Sequence, residues 1–222
     1  MTTRTEPFDY ERRAILDKAL ELSPFEGWNN LMIANAAEAA KVDAGTLAAA
    51  FRDGVRDVLR YWSARIDEDM LSKLNGDAFD QMKIREKVSF AVQTRIDAQR
   101  EHKESARRAA AFLALPTTGL LGGVLAWRTA DTIWRGLGDK STDFNFYTKR
   151  GVLAGVWTST FARWLADDDP DEHATSSFLA NRIENVMDFE KAKAKIREFG
   201  IDPVKPVSWL AKLRYPDAAR SD

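Results

Sequence analysis

Two imidazoles, His102 and His173, and no cysteine are what this chain of 222 residues offers for general-base or metal chemistry. His102 sits in Arg100-Glu101-His102-Lys103-Glu104, a charged run that suits a solvated helical face. His173 follows the acidic run Asp167-Asp168-Asp169-Pro170-Asp171-Glu172. A zinc site needs paired ligands, as in His-Glu-x-x-His, and neither histidine has such a partner at that spacing. The acidic run can attract a cation, but it lacks the spaced oxygen cage of a calcium loop, and helix capping accounts for it more simply. Gly119, Gly122 and Gly123 precede a helix without the Gly-Lys-Ser/Thr that completes a phosphate cradle. They suit close helix packing or space beside an apolar ligand. No set of nucleophile, base and orienting group emerges, so the chain is read as non-enzymatic, with no metal or cofactor of its own.

These residues need helices to hold them. Strand signals are almost absent: there is no sustained alternation of apolar and polar residues. Helical patterns predict helices over about 10–22, ended by Ser23-Pro24, then 31–40, 43–52, 54–74, a long helical stretch 83–114, 120–137, one from about 143, and one from about 170 toward 199. Asn29 or Asn30 can cap the second and Asp43 the third. Asp169-Pro170-Asp171-Glu172 predicts a helix start in which Asp169 caps and Glu172 returns a bond to the cap. Hydrophobic residues make up 45% of the chain, enough for a substantial core, so the fold class is all-α. Lys and Arg number 33 against 34 acids, which gives no general drive toward nucleic acid. The absence of cysteine excludes disulfides. Residues 1–13 contain Glu6, Asp9 and Glu11 and read as neither a secretory signal nor an organellar presequence. No apolar run reaches the ~18 residues of a membrane span, so any membrane attachment is expected to be peripheral.

The segment Asp143-Phe144-Asn145-Phe146-Tyr147-Thr148-Lys149-Arg150 combines three aromatics with a basic pair. It leads into a greasy helix face, Leu153, Val156, Trp157, Thr160, Phe161, Trp164 and Leu165. Two fates fit it: buried packing, or an exposed aromatic-basic patch that anchors a partner. Upstream, Phe112, Leu120, Leu121, Val124 and Trp127 join Val156, Trp157 and Phe161 as candidate liners of an apolar cavity, with Gly123 leaving room within it. A filled helical core is the other reading. In the tail, Trp209, Leu210 and Leu213 share one side of a short helix flanked by Lys205, Lys212 and Arg214. That pattern suits either shallow insertion at an anionic membrane or packing on the protein itself.

Residues 12–51, through Ile15, Ala19, Leu20, Gly27, Ala36, Ala37, Val42, Gly45, Thr46, Leu47 and Phe51, resemble the helix-turn-helix end of TetR-type proteins. A base-reading helix needs arginine, asparagine or glutamine aimed into the major groove. Here it reads Asp43-Ala44-Gly45-Thr46-Leu47-Ala48-Ala49-Ala50-Phe51. From Glu11 to Trp62 there are seven basic residues (Arg12, Arg13, Lys18, Lys41, Arg52, Arg56, Arg60) and eight acids (Glu11, Asp17, Glu21, Glu26, Glu38, Asp43, Asp53, Asp57). DNA binding is not expected.

A more extended resemblance begins at Asp143 and runs through Asn145, Tyr147-Thr148-Lys149-Arg150, Leu153-Ala154-Gly155 and Thr158-Ser159-Thr160. It continues through Trp164-Leu165-Ala166-Asp167-Asp168-Asp169-Pro170-Asp171 and Phe178-Leu179-Ala180-Asn181-Arg182-Ile183 to Val186-Met187. This ordered run is similar to the ubiquinone-biosynthesis accessory proteins of the Coq-nine family, and a weaker likeness covers most of the rest. The resemblance implies a TetR-like helical bundle: a helix-turn-helix-like region over 1–75, a lipid-binding region over 76–202 and an amphipathic membrane tail over 203–222. It implies a bound isoprenoid quinone precursor or phospholipid, and a di-iron demethoxyubiquinone hydroxylase as partner, with the iron in the partner. The partner surface is implied near Ile133, Trp134, Phe146, Tyr147, Lys149 and Arg150. Phe146 stands where the family often has tryptophan. A homodimer through late helices is expected by analogy with TetR-type proteins, and the location expected is cytoplasmic, peripheral on the inner face of a bacterial inner membrane. A ligand-responsive TetR-type transcription regulator is the alternative.

Overall fold

A computed structural model describes residues 7–142 and 144–198, the side chains of Phe144 and of 187–198 excepted. The described residues form helices α1 (Asp9–Glu26), α2 (Asn30–Ala39), α3 (Ala44–Ala50), α4 (Val55–Lys73), α5 (Asp77–Gln81), α6 (Ile84–Asp97), α7 (Lys103–Leu113), α8 (Gly119–Gly136), α9 (Phe144–Leu165) and α10 (His173–Glu198). A 3-10 turn, Arg100–His102, joins α6 to α7. The chain divides into compact units 1–180 and 181–222. The second is represented among the described residues by the rest of α10.

The front helices pack as their small residues dictate. Ala19, Ala36 and Ile15 are fully buried, and Met32 and Ile33 close the crossing of α1 and α2. Asn29 caps α2 by accepting from Met32 N–H, and Asp43 caps α3 by accepting from Gly45 and Thr46. Gly54 has φ 54°, and the Asn30 side chain lies where a Cβ would stand. That side chain accepts from Val55 N–H at 3.1 Å, which caps the start of α4.

Two expected boundaries move. Ser23-Pro24 does not end α1, which runs on to Glu26. Proline has no N–H to give the Leu20 carbonyl. The Ser105 hydroxyl of α7 donates to that carbonyl instead, at 2.9 Å. Trp28 Nε1 donates to the Ser105 carbonyl at 3.0 Å, and Trp28 stacks on Trp62 of α4. The front region is thereby fastened to the later helices within one unit. Second, the stretch 83–114 breaks at 98–102. The Gln99 side chain donates to the Arg95 carbonyl, and the Gln99 backbone N–H turns to Ile96 at 3.0 Å. That exchange tightens the helix into a 3-10 turn. In the later part of the unit, α8 pairs with α9, and α4 lies against α6 and α8.

Candidate functional site

A cleft of about 300 Å³ opens among α4, α6, α7, α8 and α9. Small residues make it. Ala106, Ala109 and Ala110 recur at helical spacing on α7 and face Gly122, Leu125 and Ala126 of α8. Leu59, Trp62 and Ile66 of α4 and Trp157, Phe161 and Leu165 of α9 complete an apolar wall. Trp157 stacks on Phe161, and Phe161 on Trp164, with ring centroids 5.0 and 5.8 Å apart.

One end of this cleft is polar. Arg95 is only 4% exposed. Its Nε donates to Asp67 Oδ1 at 2.7 Å, its Nη2 to Ser63 Oγ at 3.0 Å, and its guanidinium lies 4.1 Å from the centre of the Trp157 ring. Thr129 donates to Asp67 Oδ1 at 3.2 Å. Ser63, Arg95, Gln99 and Thr129 all line the cleft. Sequence reasoning passed over these four. The available signal was Arg95, an arginine flanked by Thr94 and Ile96 inside a buried helical run.

The expected cavity residues separate. Trp157 and Phe161 line the cleft. Leu121 and Val156 are buried in the core, while Phe112 and Trp127 are half-buried. Leu120 and Val124 are exposed, and nothing lies within 4 Å of where a Gly123 Cβ would stand. On α8 the cleft takes the neighbours Gly122, Leu125 and Ala126. The expectation rested on large apolar groups, whereas open volume is left by small ones.

The aromatic-basic motif divides in the same way. Arg150 is 2% exposed and donates from Nε to Asp131 Oδ1 at 2.6 Å and from Nη1 to Asp139 Oδ2 at 3.1 Å. Its guanidinium lies 3.5 Å from the Phe146 ring centre. Ile133 is fully buried. These two residues are therefore removed from the expected partner surface: one is core, and the other is a buried charge satisfied from within. Lys149 Nζ bonds Asp139 Oδ1 and Ser141 Oγ, each at 2.8 Å, and Trp134 Nε1 donates to the Lys149 carbonyl. The Lys149 bond is the main cause that holds the Asp139 carboxyl down at about 2. Tyr147 is exposed, and its ring meets Phe146 at 5.1 Å and Trp127 at 6.3 Å. Trp134, Phe146 and Lys149 are partly exposed around this corner. Lys205, Trp209, Leu210, Lys212, Leu213 and Arg214 lie outside the described residues.

The acidic run starts α10 by a different route from the expected one. Asp169 accepts from the backbone N–H groups of Asp171 and His173, and Asp167 Oδ2 accepts from Thr175 N–H at 2.8 Å. Glu172 adopts φ 51°, and the Asp169 N–H donates to Asp167 Oδ1 at 3.3 Å instead of to the Glu172 carboxylate. Glu172 accepts from Trp164 Nε1 at 2.7 Å and pairs with Arg100 at 3.1 Å. Asp169, Asp171 and His173 bring ligand atoms within 4.8 Å of one another at the surface, where their hydrogen bonds are those of a helix start.

The architecture defines the class, an all-α protein with a TetR-like fold. The crystal structure of a TetR transcriptional regulator from Nitrosomonas europaea matches with a TM-score of 0.64, covering 79% of this chain and 97% of that one. At 19% identity the likeness concerns the fold. The family model described as COQ9 matches residues 123–190. The mitochondrial ubiquinone biosynthesis protein COQ9 of Rattus norvegicus is 30% identical over 206 residues, which are 88% of this chain and 66% of that protein. The Bos taurus protein is 31% identical over 208 residues, 88% and 65% respectively, and the Homo sapiens protein 28% over 206, 88% and 65%. The chain belongs to the COQ9 family and spans just under two thirds of the length of these relatives. They are mitochondrial proteins by name, which overturns the expected location at a bacterial inner membrane. Lack of a long apolar run restricts how a chain meets a membrane and does not name the membrane.

Proposed function

We propose that this chain is a non-catalytic lipid-binding protein of ubiquinone biosynthesis that presents an isoprenylated quinone precursor to a di-iron hydroxylase. The observation that carries the reading is the apolar cleft of about 300 Å³ in a member of the COQ9 family. Its size and wall suit part of an amphiphile, with the remainder of the tail leaving by the opening. The relatives are ubiquinone biosynthesis proteins by name. A phospholipid is the other occupant of the same chemistry. Tyr147, with Trp134, Phe146 and Lys149 around it, is the proposed contact for the hydroxylase, which supplies the iron. The outer face of α8, with Leu120 and Val124, is the proposed homodimer contact. The segment 203–222 is the proposed membrane foot, and a variant ending at Asp202 is expected to lose most binding to anionic liposomes.

The regulator alternative has less support. The exposed positions of α3 are Ala44, Gly45, Ala48 and Ala49, which offer no side-chain donor to a base edge. Mass spectrometry of lipids released from protein purified without detergent tests the leading reading: an isoprenoid quinone precursor is expected. A salt-dependent, tight complex with duplex DNA and no bound lipid would favour the regulator.

A further inference from the structure

We infer that a second cavity, at the start of α1, is a site for a small aromatic phosphate of the nucleotide class, with its ring on Phe8 and its phosphate on the Arg12 and Arg52 side chains. This cavity shares no lining residue with the cleft of α4, α6, α7, α8 and α9, so the inference does not depend on what that cleft holds.

The cavity measures about 340 Å³ and opens between the start of α1 and the end of α3. Pro7, Phe8, Ala49 and Ala50 form its apolar part. Phe8 precedes the first turn of α1 with φ 65°, a left-handed conformation uncommon for a bulky residue. Its side chain is partly exposed at the cavity and makes no ring contact among the described residues. A planar ligand ring therefore finds an open aromatic face there. A cavity of roughly 150 Å³ holds benzene, so about 340 Å³ takes a ring and a phosphate.

Charge selects an anion. Arg12 is fixed in the wall: its Nε donates to the Ala50 carbonyl at 3.0 Å, and its guanidinium lies 5.7 Å from the ring centres of Phe51 and of Tyr61. Arg52 is exposed and has neither a hydrogen bond nor an ion pair among the described residues. Asp57 is the one acid of the lining, and both its oxygens are engaged. Oδ1 accepts from Arg60 Nη1 and Oδ2 from Asp53 N–H, each at 2.8 Å. Asp9, on the first turn of α1, is turned to Arg13 and Tyr61. Phe8 has no side-chain acceptor with which to cap α1, so the positive end of that helix adds to the attraction. Guanidinium forks suit phosphate oxygens better than they suit any uncharged group.

Titration calorimetry of the full chain with adenosine monophosphate, adenosine and inorganic phosphate measures the two halves of the site separately. The monophosphate is expected to bind about tenfold to a hundredfold more tightly than adenosine, the range for hydrogen bonds to a charged group. It is also expected to bind more tightly than phosphate, which has no ring to stack. Arg52→Gln, at an exposed side chain, should bring the monophosphate down toward adenosine. Ala49→Trp fills the cavity from the exposed side of α3 and should remove binding while helicity by circular dichroism is kept. Adenosine or phosphate binding as tightly as the monophosphate would overturn the inference, as would monophosphate affinity unchanged in either folded variant. No saturable binding of the monophosphate up to about 10 mM would overturn it as well, and would leave the reading of the larger cleft untouched.

Discussion

The two faces of α8 differ by one step in register and by almost everything else. Gly122, Leu125, Ala126 and Thr129 look into the cleft, and Ile133 is sealed in the core. Leu120 and Val124 are exposed, Gly123 is open, and Trp127 reaches Tyr147 of α9. Both faces are apolar, so hydrophobicity alone does not tell a ligand wall from a contact surface. What separates them is what stands opposite. Alanines of α7 leave volume on one side, while on the other side Trp127 meets the ring of Tyr147 at the surface.

The comparison is most easily broken by truncation. Ile133→Ala should destabilise the protein by about 2–5 kcal/mol, as expected for a large-to-small change in a packed core. Leu120→Ala on the outer face should change stability by about 0.5 kcal/mol or less. Denaturant unfolding of the two variants checks this, and equal costs would show that the faces are energetically alike.

Filling comes next. Ala126→Phe projects a ring into the cleft and should remove most copurified lipid while helicity by circular dichroism is kept. Gly123→Phe, the block suggested by the sequence, points into open space and should leave occupancy unchanged. The reverse result would move the ligand to the outer face.

Charge on the outer corner gives a smaller effect. Tyr147→Asp should weaken hydroxylase binding by at least about tenfold, as for loss of an interface anchor, with stability nearly unchanged because the ring is exposed. Surface plasmon resonance with the purified hydroxylase measures the first and thermal unfolding the second. Undiminished binding would take the partner elsewhere.

The mildest change concerns Asp139, which braces Lys149 and Arg150 behind that corner. Its carboxyl is lowered from 3.8 to about 2, so its contribution to stability is fully present above 3.8 and is lost as pH falls through about 2. Asp139→Asn should flatten the acid-unfolding profile between those values, and an unchanged profile would show that the brace contributes nothing.

Local chemistry made much of the fold legible. Asn29 and Asp43 cap the helices they precede because a cap needs only its own next three residues. The poverty of α3 in base-reading groups was equally plain, since it is a matter of residue type. Pro24 misled, because the donor that excuses it, Ser105, lies 81 residues away in sequence but adjacent in space. Glu172 misled for the same reason: the indole of Trp164 competes for its carboxylate. In the site, Trp157 and Phe161 were found by their bulk and spacing, whereas the alanines of α7 and the Arg95–Asp67 pair were not.

The sequence by itself therefore determined the helical class, the caps of α2 and α3, the residue types of α3 and the family, all of which depend on residue identity and short-range order. Tertiary structure decided which side of α8 meets the cleft, that Arg150 and Ile133 are interior, and that Arg95 is held as a neutralised pair at the cleft's polar end. Those outcomes depend on which side chains from distant helices arrive opposite one another, and periodicity along a single helix carries no record of that.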